Sequence, residues 1–211
     1  MNPSLIRGLY ALVDTTWVAP AALTDAAAAV IRGGARLVQY RDKDASPAER
    51  AERARAVFMV CRQMGAIFIV NDDVELAFEL MAHGVHVGEH DATVGAARAR
   101  LGPLAIVGAS CYDSVVNAQR AADAGASYLA FGAFFPTRTK ANTREAYPVL
   151  LRKAKAAFDP ILWDSRAGDW RGRLEQVWFR GAHGDIGGQL SGFEAARPLA
   201  NIPLIWMLER A

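Results

Sequence analysis

Short apolar segments recur along this chain at intervals of roughly 20–30 residues, each followed by a helix-forming stretch, and this rhythm restricts the fold more than any other feature. Leu9 to Val13 is the first such segment and ends at Asp14. Arg36 to Tyr40, Ala66 to Val70, Gly84 to Val87, Leu104 to Ala109 and Tyr128 to Phe131 follow. Between them lie helical patterns over Ala21–Ile31, Ser46–Met64, Val74–Met81, Val94–Leu101, Ser114–Ala124 and Glu145–Phe158. The helix ends carry their own signals. Ser46 is a candidate N-cap, Pro47 suits the first helical position, and Glu49 completes a capping box. Gly33-Gly34, Gly65 and Gly125 are candidate stops. The segment Ala66–Val70 is apolar throughout, which suits a strand buried on both faces of a parallel sheet. Six βα units in about 155 residues favour a barrel under construction over a doubly wound sheet. The alternation does not by itself require closure.

The remaining bulk properties narrow the class. A length of 211 residues suits one domain, or one domain with an appendage. With 24 basic and 22 acidic residues the net charge is only +2, which argues against nucleic-acid binding through bulk charge. No apolar run reaches the roughly 18 residues of a membrane helix, and no long apolar segment marks a signal peptide. Cys61 and Cys111 are far apart and form no metal-type pair. A cytoplasmic, reduced protein is expected.

In a parallel barrel the chemistry gathers at the C-terminal ends of the strands. The second strand ends in VQYRDK, where Gln39, Arg41 and Lys43 alternate and share one face if the extended path continues. Asn71, Asp72 and Asp73 follow the third strand, with Asp73 placed to cap the next helix. His90 and Asp91 lie past the fourth, and Ser110 closes the fifth. Thr137, Arg138, Thr139 and Lys140 follow the sixth. His86, inside the fourth strand, reads as a packed histidine. Separated carboxylates supply hard oxygen ligands for Mg²⁺, and Arg and Lys with amide and hydroxyl donors suit a diphosphate.

These segments also resemble a known family. VQYRDK (38–43), FIVNDDVELA (68–77), GVHVGEHDA (84–92), VGAS (107–110) and FGAFFPTRTK (131–140) look like thiamine-phosphate synthase, in the family's order and close to its spacing. The resemblance, over about residues 9–140, implies an α/β TIM (β/α)8-type barrel. It implies an enzyme, a Mg²⁺-dependent transferase, joining hydroxymethylpyrimidine diphosphate to a thiazole phosphate, with thiamine monophosphate and diphosphate as products. It assigns Gln39, Arg41, Lys43 and Asn71 to the pyrimidine and its diphosphate, and Asp72 and Asp91 to Mg²⁺. Thr137 and Thr139 fall to the thiazole phosphate. Ser110 (on the pyrimidine) and Lys140 (on the diphosphate) become the catalytic pair. No protein nucleophile is required.

From Asp159 the texture changes, so the expected division is a barrel domain over 1–158 and an atypical segment over 159–211. Four of the five tryptophans lie there, and the alternation reduces to one strand, Glu175–Phe179, and one helix, Ile202–Arg210. The family's last two units are not recognisable; Ile186-Gly187-Gly188 is their only echo. QVWFRGAHGDIGG (176–188) and PLIWMLERA (203–211) instead resemble part of an uncharacterised α/β-hydrolase domain related to phospholipase effectors, in which His183 would be the triad histidine. No G-x-S-x-G elbow supplies a nucleophile for it. A barrel short of two strands exposes two sheet edges, which the tail could cover or a homo-oligomer could pair. The alternatives to an active synthase are an impaired barrel that only binds diphosphate ligands or a partner, and a thiazole tautomerase-like isomerase. An isomerase has no use for a diphosphate clamp.

Overall fold

The computed structural model describes residues 6, 8–88, 92–134 and 146–158. Strands β1 (Leu9–Asp14), β2 (Ala35–Arg41), β3 (Ile67–Asn71), β4 (Gly84–Val87), β5 (Ile106–Tyr112) and β6 (Tyr128–Phe131) alternate with α1 (Leu23–Arg32), α2 (Pro47–Met64), α3 (Val74–Glu79), α4 (Val94–Leu101) and α5 (Val115–Asp123). Helix α6 (Pro148–Ala157) follows β6. The six strands form one sheet in sequence order, and every neighbouring pair is parallel. Each unit therefore adds to the same edge, which is how a barrel grows. The sheet is strongly curled: the hydroxyls of Tyr10 on β1 and Tyr128 on β6 meet at 2.8 Å across the concave face. This is a partial TIM-type barrel. The expected strand Glu175–Phe179, the helix Ile202–Arg210, and the whole segment 159–211 lie outside the described residues.

The strand period of two sorts the apolar residues into two cores. One set, including Val13, Val38, Tyr40, Phe68, Val70, Val85 and Val107, packs outward against the helices. The helices meet it with Ala27, Ala54, Ala97 and Ala118, all fully buried, so small side chains let the helix backbones come close to the sheet. The other set, Leu37, Ile69 and Ile106 with Ile6, fills the concave face beside Tyr10, Ile67 and Tyr128. With both faces buried, the strands read as continuous apolar runs rather than alternating ones.

Local signals account for most boundaries. Ser46 and Glu49 form the reciprocal capping box on α2, and Gly65 ends that helix at φ +73°. Asp73 caps α3 by accepting from the Leu76 amide at 2.9 Å. Several boundaries differ from the sequence reading. The first helix opens with a 3-10 turn at Pro20–Ala22 before α1 begins. Helix α3 stops at Glu79, followed by Met81 at φ +51°. Strand β5 begins at Ile106, not Leu104, because Leu104 is exposed in the preceding loop. It also runs on to Tyr112 by pairing with β6 across an irregularity between Ser110 and Tyr112. Ser110 is thus inside the strand, not at its end.

Candidate active site

The register lays a polar row across the open end of the concave face. Asp14 stands beside Arg41, Asn71 beside His86, His86 beside Gly108, and Gly108 beside Tyr128. Parity puts Gln39 and Arg41 on this face, while Tyr40 packs among the outward core residues. The expected alternation thus holds for Gln39 and Arg41, both buried. It does not extend to Lys43, because β2 ends at Arg41. Lys43 sits in the following loop, half exposed, and reaches Asp72 at 2.6 Å.

Arg41 is the most demanding of these residues. Its side chain is only 9% exposed, and Nη1 donates to Asp14 Oδ2 at 2.6 Å. Its Nε is buried and has no hydrogen-bond partner among the described residues. A buried guanidinium donor left unpaired costs free energy, so an acceptor arriving there is rewarded. Asp14 orients the fork and balances its charge. It was not among the sequence candidates, although it ends β1 level with Arg41.

The loop after β2 is bolted down from the other side. Asp42 accepts from Tyr40 Oη at 2.9 Å, Thr15 Oγ1 at 3.0 Å and Arg53 Nη1 at 3.1 Å. Burial pushes the Asp42 carboxyl upward, but the hydrogen bonds from Tyr40, Arg53, Thr15 and the Ala45 amide outweigh it, so the group stays below its ordinary range. Arg50 Nε donates to the Asp42 carbonyl at 2.8 Å, and its Nη1 lies 3.8 Å from Asp73. The loop carrying Lys43 is therefore tied to the loop carrying Asp72.

Asp72 adopts φ +66°, a left-handed conformation that Asp tolerates better than most residues. Its amide donates to the His86 carbonyl at 2.8 Å, which stitches this loop to β4. The uncommon backbone and the Lys43 contact place a hard carboxylate near Arg41's strand end. Among the described residues no three His, Cys, Asp or Glu side chains converge. One carboxylate shared with substrate oxygens is still a fitting donor for Mg²⁺, which is commonly held by one or two carboxylates plus phosphates and waters. Asp91, expected as the second ligand, lies outside the described residues, as do His90, Thr137, Thr139, Lys140 and His183.

The far side of the row is a connected chain. His86 Nε2 lies 2.8 Å from Ser110 Oγ, His86 Nδ1 lies 2.9 Å from Tyr128 Oη, and Tyr128 continues to Tyr10. His86 is buried as expected, but in contact with a site residue. A Cβ on Gly108 would overlap the Tyr128 ring, so the glycine makes room for it. Burial raises the Tyr10 hydroxyl pKa above its ordinary value. Burial likewise pushes Tyr128 well above its ordinary value. Both phenols therefore keep their protons at neutral pH. Tyr10 and Tyr128 were missed from sequence because an aromatic in an apolar strand reads as core.

Comparison with known proteins fits this arrangement. The family described as Thiamine monophosphate synthase matches residues 9–184, further than the motifs in 9–140 reach. A thiamine-phosphate synthase of Chromobacterium violaceum is 48% identical over 159 residues, covering 73% of this chain and 74% of that protein. Its counterpart from Alcanivorax borkumensis is 46% identical over 153 residues, covering 72% and 70%. Among solved structures, a thiamine phosphate pyrophosphorylase from Pyrococcus furiosus superposes with a TM-score of 0.63 at 29% identity, covering 74% of this chain and 72% of that one.

Proposed function

This chain belongs to the thiamine monophosphate synthase family and is an enzyme of that type, a transferase of thiamine biosynthesis acting on small molecules; from that premise we propose which of its residues do the work. The substrates are hydroxymethylpyrimidine diphosphate and a thiazole phosphate. Arg41 and Lys43 hold the diphosphate, with Lys140 as a third cation. Gln39, Asn71 and Ser110 contact the pyrimidine and its diphosphate. Thr137 and Thr139 take the thiazole phosphate. Asp72 and Asp91 hold Mg²⁺. The observation that carries this reading is the buried Arg41 Nε, without a partner among the described residues, beside the loops where Lys43 and Asp72 meet.

The chemistry follows from charge. The bond from the pyrimidine methylene carbon to the diphosphate oxygen breaks, and the electron pair leaves with diphosphate. Arg41, Lys43 and Lys140 stabilise the negative charge that gathers on the leaving group. Mg²⁺, when bound, adds Lewis-acid neutralisation of the same oxygens. The lone pair of the thiazole nitrogen then forms the new carbon–nitrogen bond. Gln39 and Ser110 fix the ring so that the methylene faces the incoming nitrogen.

Residues 1–158 supply the barrel domain in this reading, and 159–211 an atypical segment, a division that rests on sequence texture alone. The test is thiamine phosphate formation by purified full-length protein with both substrates and Mg²⁺. Turnover that disappears in Asp91→Ala supports the assignment. Folded protein that binds the pyrimidine diphosphate without turnover would instead mean an impaired barrel.

A further inference from the structure

We propose that Tyr10, Tyr128 and His86 are positioning residues, forming a buried hydrogen-bond chain that fixes Ser110 and keeps its hydroxyl a donor toward the ligand. The inference rests on Ser110 contacting the pyrimidine, as proposed above, and adds the device that sets the direction of that contact.

Three short contacts run in series: Tyr10 Oη to Tyr128 Oη at 2.8 Å, Tyr128 Oη to His86 Nδ1 at 2.9 Å, and His86 Nε2 to Ser110 Oγ at 2.8 Å. The chain links β1, β6, β4 and β5 across the concave face. Packing holds its members in place. The Tyr128 ring stacks on the His86 ring, with centroids 5.5 Å apart at 26°, and meets the Tyr10 ring edge-on at 5.9 Å. Gly108 leaves the space that the Tyr128 ring occupies.

The direction of the protons follows from acidity. A neutral imidazole has one N–H and one lone pair, so only one of its two hydroxyl neighbours can donate to it. Tyr128 is a phenol and Ser110 an aliphatic alcohol, and the phenol is the far stronger acid. Tyr128 therefore donates to Nδ1, which leaves the ring proton on Nε2. Nε2–H donates to Ser110 Oγ, and Tyr10 donates to the Tyr128 oxygen. Ser110 has then filled an acceptor position and retains its own proton for a partner outside the chain. A lone pair, such as that of a pyrimidine ring nitrogen, is the complementary group for that proton.

The first measurement needs no substrate. Long-range proton–nitrogen NMR correlations on ligand-free, ¹⁵N-labelled protein report the tautomer of each histidine, with His86→Gln assigning the signal. We expect His86 in the Nε2–H form, and loss of that preference in Tyr128→Phe, which keeps the ring stack. A wild-type Nδ1–H form would overturn the proposal. The second is a double-mutant cycle on kcat/KM for the pyrimidine diphosphate. Tyr128→Phe and Ser110→Ala should each cost about tenfold or more. The double variant should be no worse than Ser110→Ala alone, and multiplied losses would overturn the chain. If the wild-type protein makes no thiamine phosphate, the synthase reading fails, while the tautomer still decides the chain.

Discussion

Two arginines at opposite ends of the barrel show how differently the same side chain can be paired. Arg98, on α4, faces the base of the sheet. Its Nη1 donates to the carbonyls of Gly102, Pro103 and Ala105, and its Nη2 to the Gly125 carbonyl and Ser127 Oγ. Its Nε also reaches Gly125. Every nitrogen is used, and together they tie the loops entering β5 and β6. Arg41, at the mouth, has the Asp14 carboxylate on one nitrogen and, among the described residues, nothing on its buried Nε. A complete donor set closes a structure, and an incomplete buried one leaves a place for a ligand.

Breaking the mouth should remove activity, while breaking the base should remove stability. The largest effect is expected at Asp72. Asp72→Ala should lower thiamine phosphate formation by at least about a hundredfold, and removal of Mg²⁺ with a chelator should add little to that loss. Next, Asp14→Ala strands a buried guanidinium and should cost about 3–5 kcal/mol in chemical denaturation, together with diphosphate affinity. Arg98→Ala sharpens the contrast: about 1–3 kcal/mol of stability should go, from the carbonyls it leaves unpaired, with KM unchanged in the folded fraction. Gly108→Ala should cost about 1–3 kcal/mol by pressing on the Tyr128 ring, and should lower kcat/KM through Ser110.

The smallest effect belongs to the base. His83 Nδ1 accepts from the Phe68 amide at 3.0 Å, and burial holds its pKa below the ordinary 6.5. The folded state then takes up its proton less readily than the unfolded chain. The sign is therefore fixed: this contribution is complete above about pH 6.5 and declines as pH falls toward the folded value. His83→Asn, which retains an acceptor, should flatten the change in melting temperature between pH 7.5 and 5.5. An unaltered pH response would place the acid sensitivity elsewhere.

Much of this was legible in the chain. The alternation of strand and helix, the Ser46–Glu49 capping box and the Asp73 cap are local devices, decided within a few residues, and they stand where the sequence put them. VQYRDK put Gln39 and Arg41 on one face, because strand parity is local too. Lys43 was misplaced on that face because the strand ends two residues sooner, where β1 ends beside it. Asp14 and Asp42 were invisible as partners of Arg41 and Arg53, since their meaning depends on what lies across the sheet or on the next helix.

Sequence alone determined the parallel βα architecture, the two-sided burial of the strands and the residue types at their ends, because periodicity and capping act over short separations. The tertiary structure alone decided that Tyr10 meets Tyr128, positions 118 residues apart, that His86 bridges Tyr128 to Ser110, and that one nitrogen of Arg41 has no partner among the described residues. Those facts depend on the curl of the sheet and the register of neighbouring strands, which bring distant residues together and which no local pattern encodes.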